Sequence, residues 1–97
     1  MQLGTLLSRF DDEAVVLETL LAMNDLPLLS RVQDAAKRAS TDIGAWAHEA
    51  VGSFIRTADD ERWLGLIAAC STAKDPGLTA LRRMLAAALS AEARPHG

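Results

Sequence analysis

The chain has 97 residues, enough for one domain that buries roughly 60–65% of its unfolded surface without help from a metal or a disulfide. Hydrophobic residues make up 49% of it and aromatics only 4%, so the apolar matter is mostly Leu and Ala, which favours helix over strand. A net charge of −3 argues against a generic phosphate-backbone binder, and the single cysteine, Cys70, excludes an internal disulfide and a cysteine metal cluster.

Residues 2–9, QLGTLLSR, predict a short first helix or docking arm, with Leu3, Leu6, Leu7 and Phe10 as its apolar edge. Its opening stretch has neither the basic leader nor the long apolar run of a signal peptide. Asp11-Asp12-Glu13 then reads as a capped helix start, since carboxylates suit the positive end of the backbone dipole. Phe10, just before it, is placed to staple onto Val15 or Val16. The second helix is expected to run to about Met23, with Val16, Leu17, Leu20, Leu21 and Met23 inward.

Asn24-Asp25-Leu26-Pro27 ends that helix and starts the next, with Asp25 as cap and Pro27 where its missing N–H does no harm. The third helix, about 26–39, turns Leu28, Leu29, Val32, Ala35, Ala36 and Ala39 inward, and leaves Arg31, Gln33, Asp34, Lys37 and Arg38 to water. Ser40, Thr41 and Asp42 are all suitable caps for a central helix to Thr57. Within it Ile43, Trp46, Ala47, Ala50, Val51 and Phe54 recur at steps of three and four, one apolar stripe that Ile55 widens. An indole and a phenyl ring on one stripe predict that the other helices pack around this one. Gly44 and Gly52 lower its propensity; close approach by a neighbour and a tolerated defect both account for them.

Asp59-Asp60-Glu61 opens a fifth helix carrying Trp63, Leu66, Ile67 and Cys70, and Ser71 to Lys74 form a loop. Asp75-Pro76-Gly77 starts the last helix, with Leu78, Leu81, Met84, Leu85, Ala88 and Leu89 on its apolar side and a fraying tail over 92–97. The apolar runs 63–70 and 84–89 fall well short of the ~20 residues of a membrane span. The expectation is one all-α domain over 1–97, a bundle of five to six short helices, soluble and cytoplasmic.

The two halves echo one another. Residues 3–13 lie over 51–61 at an offset of 48, Gly4 on Gly52 and Asp11-Asp12-Glu13 on Asp59-Asp60-Glu61. After one inserted residue Pro27, Leu29, Val32 and Ala36 lie over Pro76, Leu78, Leu81 and Leu85. A duplicated helical hairpin explains this, and so does the chemical likeness of all helix starts.

Little of the sequence suggests chemistry. His48 and Glu49 are neighbours, but adjacent helical positions point about 100° apart and share no face. The two acidic clusters have the ligand type for Mg²⁺ or Ca²⁺, yet lack a calcium-loop spacing and are explained by capping. Cys70 on an apolar stripe reads as a buried thiol, and Met23 and Met84 as core fillers. Trp63 reads as core or as a rim aromatic of an interface. There is no phosphate loop, nucleophile elbow or HExxH, so no catalytic, cofactor or metal residue is assigned.

Residues 26–56 carry Leu26-Pro27, Ala36-Lys37-Arg38, Ser40-Thr41 and Glu49-Ala50-Val51 in an order that resembles the two-helix part of ribbon-helix-helix regulators. The resemblance covers about a third of the chain. It implies two helices, their pairing into a dimer, and DNA read by a strand just before the Leu-Pro. In that place stand Leu20 to Asp25, without polar–apolar alternation or a basic side chain. Two functions follow. The first is a non-enzymatic helical interaction or regulatory module, expected to homodimerise because six short helices carry more apolar stripe than they can hide. The alternative is a DNA-binding regulator contacting phosphate through Arg31, Lys37 and Arg38, joined by Arg82 and Arg83.

Overall fold

Aspartate caps mark out the chain. In the computed structural model, which describes residues 3–93, Asp12 Oδ1 accepts from the Ala14 N–H at 2.9 Å, Asp25 Oδ1 from Leu28 at 3.1 Å, and Asp42 Oδ1 from Ala45 at 2.8 Å. Asp59 Oδ1 accepts from Arg62 at 2.9 Å and Asp75 Oδ1 from Leu78 at 3.2 Å. Each bond satisfies one of the free donors in a first helical turn. The helices are α1 (Leu3–Arg9), α2 (Glu13–Ala22), α3 (Leu26–Arg38), α4 (Ile43–Thr57), α5 (Asp60–Ser71) and α6 (Pro76–Ala93). Among the described residues there is no strand. The protein is an all-α bundle, with α2 occupying the segment before Leu26-Pro27.

The α3–α4 turn uses a residue differently from its expected role. Ser40 does not cap α4. It takes φ 57° just past α3, while its N–H donates to Lys37 O at 3.1 Å and the Thr41 N–H to Ala36 O at 3.0 Å. That bond pair is the Schellman closure of a helix C-terminus.

The core joins Phe10, Val16, Leu20, Leu28, Val32, Trp46, Val51, Phe54, Leu66, Leu81, Met84, Leu85 and Leu89 with alanines and Cys70. Trp46 is 8% exposed, and α4 packs on α2, α3 and α6. It shares the centre with α6, which packs against α2, α3, α4 and α5. Leu81, Met84 and Leu85, all on α6, are fully enclosed. The described part of the 92–97 tail belongs to this helix: Glu92 Oε2 meets Arg38 Nη2 at 3.4 Å. Residues 94–97, His96 among them, lie outside the described residues.

Four positions expected inside stand in solvent. Leu21, Ile55 and Ile67 are exposed, and each follows a buried residue by one position, about 100° further round its helix. A single layer of neighbours covers Leu20, Phe54 and Leu66 but leaves the next flank open. Ala39, the C-cap of α3, is exposed because the chain turns away there. The echo between halves is clearest in α3 and α6, where Val32 and Leu81 are both wholly buried, as are Ala36 and Leu85. α5 packs on α6 as a hairpin, whereas the principal partners of α2 are α4 and α6.

Candidate functional site

α5 shows three different faces. Asp59 fixes its start, and Trp63, Leu66 and Cys70 turn inward from there. The Trp63 ring meets Phe54 edge-on, centroids 5.4 Å apart at 74°, a favoured aromatic geometry that ties α5 to α4. On the outer side Leu64 is 65% exposed and Ile67 45%. Ala68 and Ser71 continue that strip at helical spacing and are also exposed. The third flank holds Arg62 and Gly65. Since α5 packs chiefly on α6, no other helix among the described residues covers the outer strip. Elsewhere Leu26, at the start of α3, is 72% exposed, and Leu21 and Ile55 are exposed on α2 and α4.

The basic residues assigned to nucleic acid do not form one surface. Arg31 and Arg38, seven residues apart and so on one side of α3, line a shallow groove with Asp34, Leu89 and Glu92. Arg38 is held there by Glu92. Lys37 faces a different and larger groove, about 760 Å³, between the start of α2, the end of α3 and the start of α4. Leu17 and Ile43 line it too, as do the carboxylates Glu13, Asp34 and Asp42. Arg9 lines a third groove with Glu18 and Asp75. Arg82 Nε reaches Asp25 Oδ2 at 3.4 Å, and Arg56 Nη2 reaches Glu49 Oε1 at 3.0 Å. These exposed pairs contribute about 0–1 kcal/mol each.

His48 has a structural partner that adjacency to Glu49 did not suggest: its Nε2 lies 2.9 Å from the carbonyl oxygen of Asp11, linking α4 to the α1–α2 turn. Asp12 and Asp59 each spend an oxygen on a cap. Among the described residues no group of three His, Cys, Asp or Glu is placed to hold a metal ion. Cys70 is buried beneath α6, its Sγ 3.7 Å from Pro76 O. Burial pushes its thiol above the ordinary cysteine range, and the nearby Arg83 guanidinium offsets part of that. A thiol so held is a poor nucleophile. Among the described residues no helix is long and apolar enough to cross a membrane.

No family model matches the chain, and neither a curated protein nor a solved structure does. The outer strip of α5 therefore stands on its own geometry. Leu64 carried no sequence signal beyond its place in an apolar run, because its outward direction depends on which side of α5 meets α6.

Proposed function

We propose that the chain is a non-enzymatic protein–protein interaction module of the cytoplasm that acts as a homodimer joined through the outer strip of α5. The observation that carries this reading is Leu64 and Ile67, large apolar side chains exposed on a helix with one main packing neighbour. Charge favours a second copy as the occupant. α5 starts at Asp59, Asp60 and Glu61 and is followed by Lys74. Antiparallel pairing about a two-fold axis sets the acidic start of each copy against the other's lysine, and such a contact is self-complementary by construction. The cytoplasmic part rests on the one free thiol, Cys70, which suits a reducing compartment. The DNA-regulator alternative has less behind it, because Arg31, Lys37 and Arg38 all share their grooves with carboxylates.

Sedimentation analysis of the native chain and of the double variant L64E/I67E tests the reading. The native chain is expected at twice its 10.4 kDa mass at micromolar concentration, and the variant at the single mass with unchanged helical circular dichroism. A native chain that stays monomeric over that range overturns the proposal.

A further inference from the structure

The remaining flank of α5 faces a groove unlike the other three. Arg62 and Arg83 line it, together with Phe54, Ala87, Ser90 and Ala91, and it encloses about 370 Å³. A small extension runs on along α4 past Ser53 and Thr57. Arg83, on α6, lies against α5 at Gly65. A Cβ placed on Gly65 would stand 3.0 Å from Arg83 Nη2, so this guanidinium lies across the helix at Gly65. Arg62 is on the same flank three residues earlier, about 4.5 Å along the axis.

Among the described residues no carboxylate lines this groove or its extension, whereas the other three carry Glu13, Asp34 and Asp42, Asp34 and Glu92, or Glu18 and Asp75. Arg38, Arg56 and Arg82 each meet a carboxylate. Neither Arg62 nor Arg83 has a side-chain ion pair or hydrogen bond among the described residues. In a chain with a net charge of −3, two guanidiniums are thus gathered at one groove with their donors unused. Guanidinium is a planar fork that matches an oxyanion with two parallel hydrogen bonds. Phe54, Ala87 and Ala91 supply an apolar wall beside it, and the volume falls in the range of about 300–1,000 Å³ usual for small-molecule sites.

We propose that the Arg62–Arg83 groove binds a small molecule with a carboxylate or phosphate head on an apolar body. The head lies between the two guanidiniums and the body along Phe54 and Ala87. The site is on a different flank of α5 from Leu64 and Ile67, so it is independent of the dimer contact.

Calorimetric titration at low salt tests this with four probes below their micelle concentrations: octanoate, octyl phosphate, inorganic phosphate and octanol. Octanoate or octyl phosphate is expected to bind the native chain, and which of them does so identifies the head group. R62Q/R83Q is expected to weaken that binding at least tenfold, while R31Q/R38Q leaves it unchanged. G65V, which obstructs the seat of Arg83, should weaken it as well. Failure of both amphiphiles to bind, or equal binding by R62Q/R83Q with its helical content intact, overturns the proposal. Inorganic phosphate or octanol binding as tightly as the amphiphiles overturns the two-part ligand.

Discussion

Ser40 holds left-handed backbone, φ 57°, which costs a residue with a Cβ roughly 1 kcal/mol and glycine almost nothing. Its fold role is fixed by the two bonds that close α3, so the backbone will not relax to spare the side chain. S40G is therefore expected to stabilise the protein by about 0.5–1 kcal/mol, the relieved strain exceeding the added freedom of the unfolded chain. A raised urea midpoint with unchanged slope checks it. Asn24, at φ 52° after α2, has the side chain that best tolerates this conformation, so N24G gains less. Cys70 carries a pH effect of definite sign. Its thiol is pushed up in the fold, mainly by burial, so the folded chain holds that proton more tightly than the unfolded one. The resulting stability is complete below the unfolded thiol's pKa, about 8.5, and is lost as pH climbs past it toward the folded value. Urea titrations at neutral and alkaline pH should show a steeper alkaline loss in the native chain than in C70A.

At the scale of the helix, Gly52 separates two readings that its sequence left open. A Cβ there would meet only Arg56, at 3.0 Å from Nη1, the far end of an exposed and flexible side chain. No neighbouring helix needs the space. G52A is expected to raise stability by up to about 1 kcal/mol, the propensity difference in a helix interior, less a small loss at the Arg56–Glu49 pair. Thermal denaturation measures it, and a lowered midpoint would mean that α4 needs glycine for a reason beyond space. Helices α2 to α6 were legible because each start carries an aspartate or an Asp-Pro signal, and α4 shows period-3.6 patterning in Trp46, Ala50 and Phe54, whereas α1 was read from its apolar edge alone. Their ranking was not legible. Rings made α4 look like the sole centre, yet aliphatic Leu81, Met84 and Leu85 on α6 are the more completely enclosed. Burial depends on how many helices surround a residue, and spacing within one helix does not report that. Ile55 and Ile67 failed for the same reason, since a stripe's width is set by the neighbours.

For the molecule as a whole, the candidate site was half legible. The surplus of apolar stripe predicted an open face, while its location on α5 needed the arrangement of all six helices. Arg62 and Arg83 were harder still. They are 21 positions apart in the sequence, and only the α5–α6 hairpin brings both to one groove. The dimer reading has a thermodynamic consequence that no single-chain contact shares. If folded chains associate through Leu64 and Ile67 and unfolded chains do not, association withdraws folded monomer from the unfolding equilibrium. The midpoint of thermal unfolding must then rise with protein concentration in the native chain. L64E/I67E should unfold at a midpoint independent of concentration, because glutamates facing each other across a two-fold axis repel. An intramolecular explanation of the same apolar strip, in which Leu64 and Ile67 merely tolerate water, predicts flat midpoints for both proteins. A dilution series followed by circular dichroism decides between them. A concentration-dependent midpoint that persists in the variant would place the contact on some surface other than α5.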